Sequence, residues 1–224
     1  MAREMEKRRV AFVHTSPAAV GPVAQFYKEA APEFEVTNLL DDGLLRLLAE
    51  GEVATVERRM ADMIGAAADT YGAEAAMVTC SSVPLESVEK LAASAGLPVL
   101  KIDYPMARRA ARAGRLIGVA ATFPPTLGPT GRLLAEAARE AGTEIEIVED
   151  VTPDAYEALL SGDAERHDRL LLEGIARLEA KGVSVVVLAQ VSMARVLPAA
   201  EGRFRVPLLT SLHTSLEALR AALA

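Results

Sequence analysis

Short apolar runs alternate with longer amphipathic stretches along the chain. Most of the short runs are continuously apolar, which is typical of strands buried on both faces of a sheet. Two of the longer stretches, 52–71 and 163–181, carry their apolar residues on one stripe at helical spacing. The alternation predicts parallel sheets whose strands are joined by right-handed helical crossovers. The predicted strands are 10–14, 34–38, 75–79, 98–102, 116–121, 144–148, 183–189 and 206–210.

An internal repeat divides the chain into two halves with the same order of motifs. Four residues that follow an apolar strand return 107 positions later: Thr15, Pro17, Gly21 and Pro22 match Thr122, Pro124, Gly128 and Pro129. Such a repeat is typical of two copies of one structural unit. The sequence therefore predicts an α/β fold with two pseudo-symmetric lobes, each a mostly parallel sheet flanked by helices, related by internal duplication. The first lobe is expected to contain residues 1–106 and 208–224, and the second residues 107–207.

Loops at one edge of each predicted sheet are the expected place for chemistry. Ligands of parallel sheets bind beyond the carboxyl ends of the strands, where the connecting loops meet. We expect the loops after His14, Cys80, Ala121 and Ala189 to converge on one cleft between the lobes. Candidate functional residues are therefore sought first in these four loops.

Composition and charge exclude several classes of function. Nucleic-acid affinity comes mainly from Lys and Arg contacts to phosphates, so the formal net charge of −7 argues against a nucleic-acid binder. The one cysteine cannot form an internal disulfide, and the charged N-terminal residues lack the apolar stretch of a signal peptide. No apolar run reaches the roughly 18 residues of a membrane span. These features predict a cytoplasmic protein that makes no contact with membranes.

Metal and nucleotide motifs are absent from the sequence. There is no HExxH and no pair of cysteines at ligand spacing. Neither GxGxxG nor GxxxxGKS/T follows a predicted strand. The sequence therefore predicts neither a metal site nor a nucleotide cofactor.

Cys80 is the residue with the clearest chemical potential. It follows the predicted strand 75–79 and precedes a predicted helix over 85–95. Backbone N–H groups and the positive end of a helix dipole would favour its thiolate, which is the reactive form. The alternative is that Cys80 is a small buried apolar residue, the commonest state of a lone cysteine.

Four segments carry a family resemblance that extends over nearly the whole chain. They are the strand that ends in Thr-Cys-Ser-Ser at 79–82, Leu-Leu-Asp-Asp-Gly-Leu-Leu at 39–45, Gly162-Asp163 with His167-Asp168, and Leu-Ala-Gln-Val-Ser-Met at 188–193. In this order they resemble the aspartate/glutamate/hydantoin racemase family. The resemblance implies two pseudo-symmetric α/β lobes, no cofactor, and frequent assembly into homo-oligomers. It also implies reaction at the carbon next to a carboxylate or carbonyl of a small acid, with one cysteine from each lobe.

The chain matches the first family cysteine and departs from the second. Cys80 falls on the first position, and the repeat aligns it with the Ala189-Gln190 region, where the family often has its second cysteine. Gln190 cannot exchange a proton, but its amide can donate hydrogen bonds to a carboxylate or a developing oxyanion. Three chemistries of one thiol remain open: α-proton exchange that another group completes, addition to a double bond with cis–trans isomerisation, and protonation after decarboxylation of a malonate-like acid. A small-acid-binding protein without catalysis is the fourth alternative.

Hydroxyl and imidazole groups near the predicted strand ends complete the candidate set. The resemblance implies that hydroxyls and backbone amides hold substrate carboxylates, whereas the alternative role for such hydroxyls is turn and N-cap chemistry. Among the three histidines, His14 is the best candidate for a second acid–base group, and His213 is the next. His167 is expected to make a structural contact. With Cys80 and Gln190 as catalytic candidates, the substrate-binding candidates are His14, Thr15, Ser16, Ser81, Ser82, Thr122, Thr126 and Ser192.

Overall fold

The computed structural model describes residues 7–224 and contains every strand that the sequence predicts. Seven of the eight begin and end within two residues of the predicted bounds, and the sixth starts two residues later and ends three later. The strands are β1 (Arg8–His14), β2 (Phe34–Leu40), β3 (Ala75–Val78), β4 (Val99–Lys101), β5 (Leu116–Ala121), β6 (Glu146–Val151), β7 (Val185–Leu188) and β8 (Leu208–Thr210).

Helices connect successive strands, as the alternating pattern predicts. The helices are α1 (Pro17–Ala30), α2 (Gly43–Ala49), α3 (Val53–Tyr71), α4 (Leu85–Ser94), α5 (Tyr104–Ala113), α6 (Leu127–Ala141), α7 (Pro153–Leu160), α8 (Ala164–Ala180), α9 (Leu197–Ala200) and α10 (Ser211–Ala222), with short 3₁₀ turns η1 (Pro124–Thr126) and η2 (Val191–Val196). None of the helices within residues 7–224 combines the length and the apolar character that crossing a membrane requires.

Local chemistry explains where several helices begin and end. The hydroxyl of Ser16 accepts a hydrogen bond from the N–H of Ala18, and Pro17 occupies the first position of α1. The carboxylate of Asp163 caps α8 in the same way. Thr152 occupies the N-cap position of α7, but its hydroxyl makes no capping bond and instead donates to Asp150 at 3.3 Å. Helix α3 ends at Gly72, whose φ of 64° is left-handed and suits glycine.

The chain divides into two compact units with the same topology. The first contains the residues up to Ile102 together with Ser215–Ala224, and the second contains Asp103–Thr214. Every strand pair is parallel. The strand order is β2-β1-β3-β4 in the first sheet and β6-β5-β7-β8 in the second, so the predicted duplication is visible in the order of the strands.

Each unit has an aliphatic core between its sheet and its helices. In the first unit, the predicted stripe of α3 buries Val56, Met60 and Ile64 in a cluster with strand residues. In the second unit, α8 buries Ile175 and Leu178 with residues of β5 and β7. Burial of one such side chain contributes about 1.5–3 kcal/mol, so these stripes fix the helices on their sheets.

Hydrogen bonds at the strand ends identify which residues of the two units are equivalent. The N–H of Thr79 donates to the carbonyl of Val13 at 3.0 Å, and the N–H of Ala189 donates to the carbonyl of Ala120 at 3.0 Å. Val13 and Ala120 are 107 positions apart, as are the repeated motifs. Thr79 and Ala189 are therefore equivalent, and the residues that follow them are Cys80 and Gln190.

Candidate active site

The carboxyl ends of β1 and β3 lie side by side in the first unit. The parallel pairing of β1 with β3 extends as far as Val13 and Val78. Just beyond it, the hydroxyl of Thr79 lies 2.8 Å from Nδ1 of His14. The residues that follow each strand therefore reach the same edge of the sheet. The structure brings six of the predicted site residues to this edge: His14, Thr15, Ser16, Cys80, Ser81 and Ser82.

Cys80 lies at the boundary between the core and this edge. It is 9% exposed and belongs to the apolar cluster that contains Val13, Leu44 and Val83. It is followed by a turn at Ser81 and Ser82, and α4 begins at Leu85. The thiol thus combines apolar packing with a small accessible surface, and the neighbouring turn supplies its polar surroundings.

Five backbone N–H groups at this edge are available to a ligand. Within the described part of the chain, no protein acceptor receives a hydrogen bond from the N–H groups of Thr15, Ser16, Cys80, Ser81 or Ser82. We call the first two the β1 amide pair and the last three the Cys80 turn. Backbone N–H groups without protein acceptors can bind a carboxylate or another anion.

A buried lysine orients the Cys80 turn. Lys101, at the end of β4, is 4% exposed, and its ammonium donates to the carbonyl oxygens of Cys80 at 3.0 Å and Ser81 at 3.3 Å. In a trans peptide the N–H points opposite to the carbonyl. The two bonds to Lys101 therefore turn the N–H groups of Ser81 and Ser82 away from the lysine.

Lys101 was not among the residues that the sequence predicted for the site. A lysine inside an otherwise apolar predicted strand is the signal that could have found it, because a buried ammonium requires internal acceptors. Its position in the sequence does not show which acceptors these are, since they belong to a turn 20 residues earlier.

His14 is a structural link between three strands. Its ring is fully buried, with Nε2 2.9 Å from Oδ1 of Asn38 and Nδ1 2.8 Å from the hydroxyl of Thr79. Burial lowers the pKa of His14 from its ordinary value of 6.5, and the hydrogen bond to Asn38 opposes this shift. The ring is therefore neutral at pH 7, with both nitrogens within hydrogen-bonding distance of protein groups.

Acidification is expected to destabilise the fold through His14. Because its folded pKa is lowered, the unfolded chain takes up the proton more readily, so stability is present above about pH 6.5 and falls as pH drops toward the folded pKa. Between pH 7 and 5 the free energy of unfolding of the wild type should fall more steeply than that of His14→Gln. Urea unfolding at several pH values measures both, and parallel curves would exclude this contribution.

In the second unit, Gln190 follows β7 and reaches the end of β5. Its side-chain oxygen accepts hydrogen bonds from the N–H of Thr122 at 2.7 Å, the hydroxyl of Thr122 at 3.1 Å and the N–H of Phe123 at 3.2 Å. A backbone N–H can only donate, so the amide oxygen faces these groups and the amide nitrogen faces away. The nitrogen meets no protein acceptor within the described residues, and it therefore offers two donors.

The remaining candidates make mainly local contacts. The hydroxyl of Thr126 donates to the carbonyl of Phe123 at 2.7 Å, and Ser192 is half-buried in η2. His213 is exposed, with Nδ1 2.8 Å from the hydroxyl of Thr210. His167 is buried in α8, and its Nδ1 lies 2.8 Å from Asp168. All four residues belong to the second unit.

The segment after Gln190 is attached to α8 by an ion pair that the sequence did not reveal. Arg195 in η2 donates to both carboxylate oxygens of Asp168, from Nε at 2.8 Å and from a terminal nitrogen at 3.3 Å. Asp168 also contacts His167, so three side chains hold η2 on the helix. Over the residues that the structure describes, no group of three or more His, Cys, Asp or Glu residues could hold a metal ion.

Comparison with solved structures shows that the fold is shared with racemases and a decarboxylase. An allantoin racemase from Klebsiella pneumoniae is 15% identical with a TM-score of 0.72, covering 97% of this chain and 88% of that one. A glutamate racemase from Bacillus anthracis is 15% identical with a TM-score of 0.69, covering 97% and 82%. An unliganded arylmalonate decarboxylase is 16% identical with a TM-score of 0.58, covering 96% and 93%.

The family itself is established by sequence. No curated protein matches the chain significantly. The family model described as Asp/Glu/Hydantoin racemase, however, matches residues 45–219, which contain Cys80, Gln190 and most of both units. The chain therefore belongs to the Asp/Glu/Hydantoin racemase family.

Proposed function

We propose that this protein is a cofactor-independent isomerase or racemase that acts at the carbon α to a carboxylate of a small acid or amino-acid derivative. The observation that supports this most directly is the position of the only cysteine. Cys80 lies at the carboxyl edge of a parallel sheet, beside backbone N–H groups that have no acceptor within the described chain. A nucleophile or base next to unfilled anion donors is the arrangement that enolate chemistry needs.

The second unit indicates where a carboxylate oxygen would bind in the first. Gln190 is equivalent to Cys80, and its oxygen is bound by the N–H groups of Thr122 and Phe123. The equivalents of these two residues are Thr15 and Ser16, the β1 amide pair. By this equivalence, an oxygen atom bound to the β1 amide pair would be separated from the backbone of residue 80 by about the length of a glutamine side chain. A small acid held by the β1 amide pair would therefore place its α-carbon within reach of the Cys80 sulfur.

The proton-transfer step follows from these groups. The Cys80 thiolate removes the α-proton, the S–H bond forms as the C–H bond breaks, and the electron pair moves onto the carboxylate oxygens. N–H groups of the β1 amide pair and the Cys80 turn would stabilise the resulting enediolate, because they are fixed before the reaction. Return of a proton from the thiol gives exchange, and delivery to the other face by a second group gives inversion.

Decarboxylation is the second candidate, and the replacement of the second family cysteine by Gln190 favours it. In that reaction the bond between the α-carbon and one carboxylate breaks, carbon dioxide leaves, and its electron pair stays on the remaining enediolate. The neutral Cys80 thiol then donates a proton to the α-carbon. One thiol suffices for this chemistry, and the fold of arylmalonate decarboxylase is similar.

A deuterium experiment separates these functions. Candidate small acids are incubated with the protein in deuterated water, and the α-proton signal and carbon dioxide release are followed. We expect loss of the α-proton signal without release of carbon dioxide. Release of carbon dioxide from a substituted malonate would select the decarboxylase instead. Saturable binding without either change would show a small-acid-binding protein and would contradict an enzymatic function.

A further inference from the structure

We propose that Gln190 fills an anion-binding nest of the second unit with its own side-chain oxygen and so closes that nest to carboxylate ligands. This inference goes beyond the proposed function, because it concerns a site within the second unit alone. The nest consists of the N–H of Thr122, the hydroxyl of Thr122 and the N–H of Phe123, and we call it the β5 nest. Its three donors all point at one oxygen atom.

The geometry of the β5 nest is that of a site for an oxygen anion. Two successive backbone N–H groups and one hydroxyl converge at 2.7–3.2 Å on the same acceptor. Such a set of fixed donors stabilises a carboxylate or oxyanion more strongly than a neutral carbonyl. In this chain the acceptor is a neutral amide from Gln190, and the donors are satisfied before any ligand arrives.

The first unit contains the same pair of N–H groups in an unfilled state. The residues equivalent to Thr122 and Phe123 are Thr15 and Ser16, whose N–H groups have no acceptor among residues 7–224. The residue equivalent to Gln190 is Cys80, whose side chain is too short to reach as far and has only a weak acceptor. Of two equivalent nests, one is therefore open to a carboxylate and the other is closed.

Packing around the β5 nest favours the closed arrangement. The ring of Phe123 contacts the ring of Tyr156 with a centroid separation of 5.0 Å. On the other side, the ion pair between Arg195 and Asp168 holds the segment that directly follows Gln190. Phe123 and the segment of Gln190 are therefore both held in place. A ligand carboxylate would have to displace the Gln190 side chain, whose oxygen accepts three hydrogen bonds.

Amide signals of the full chain test this directly, with sodium formate as the probe. In the wild type, formate should shift the ¹⁵N–¹H signals of Thr15, Ser16, Ser81 and Ser82, and leave those of Thr122 and Phe123 unchanged. In Gln190→Ala, formate should shift the Thr122 and Phe123 signals as well. Gln190→Glu keeps an acceptor oxygen in the nest, so these two signals should again be insensitive. Gln25→Ala, which removes a surface amide that bonds to Glu29, is the matched control and should behave as the wild type.

The outcomes distinguish this inference from the proposed function. A formate response of Thr122 and Phe123 in the wild type, or its absence in Gln190→Ala, would overturn the closed nest. A lack of response at the β1 amide pair and the Cys80 turn in both proteins would instead contradict the proposed site. If Gln190→Ala does not fold, as judged by signal dispersion, Gln190→Met removes the amide at similar volume and carries the same expectation.

Discussion

Replacement of Cys80 by alanine is expected to lower the rate of α-proton exchange by roughly three orders of magnitude, the middle of the range for loss of a general base. In the proposed mechanism the sulfur takes the proton, and no second cysteine exists to replace it. Binding of the acid should change little, because the carboxylate donors are backbone N–H groups that the substitution leaves in place. Exchange is measured by the α-proton signal in deuterated water, and binding by calorimetry.

Cys80→Ser is the matched control for volume. Serine keeps the size of the side chain but does not ionise near neutral pH, so its exchange should be as slow as that of Cys80→Ala. Exchange within tenfold of the wild type in either variant would show that another group removes the proton. Loss of binding together with exchange would indicate a structural role for the thiol instead.

Replacement of Lys101 by methionine is expected to weaken the binding of sodium formate at the Cys80 turn by roughly tenfold, the equivalent of about 1.4 kcal/mol. The ammonium donates to the carbonyl oxygens of Cys80 at 3.0 Å and Ser81 at 3.3 Å, so it holds the two peptides whose N–H groups are proposed to bind the anion. Methionine has a similar shape but cannot donate these hydrogen bonds. Binding is measured from the ¹⁵N–¹H signals of Ser81 and Ser82.

The same substitution should also loosen the Cys80 turn. Two carbonyl oxygens would lose a charged donor, which costs about 1–3 kcal/mol in the free energy of unfolding. Lys90→Met is the control, because Lys90 is an exposed lysine that pairs with Glu57. A merely structural role for Lys101 would lower stability without weakening formate binding to the folded protein. Formate binding equal to that of the wild type in Lys101→Met would show that the ammonium does not orient the N–H donors.

The strands were predictable because burial leaves a simple pattern. Strands β3, β5 and β7 contain no polar side chain, β1 is apolar from Val10 to Val13, and all four lie at the centres of the sheets, so their positions follow from continuous apolar runs. Strand β6 is at a sheet edge and is partly exposed, so its pattern is weak and its end was placed three residues too early. Its true bounds follow from pairing with the whole of β5, between Leu116 and Ala121.

The candidate site was predictable only in part, because side-chain partners are set by tertiary structure. The repeat was sufficient to align Cys80 with the Gln190 region. It could not show that the Gln190 oxygen points inward to Thr122 and Phe123, which leaves the nitrogen as the donor. The contact of Lys101 with the Cys80 turn joins segments that are distant in sequence, and no local pattern reports it.

Cys80 is proposed to be a reactive thiol beside an open carboxylate site. Alkylation of the native protein by iodoacetamide at pH 7, followed by mass spectrometry, can report on this thiol alone because the chain has one cysteine. We predict a single adduct that forms without denaturant and forms more slowly when sodium formate is present. If Cys80 reacts only in the unfolded protein, or if formate does not slow its reaction, the proposed site is wrong.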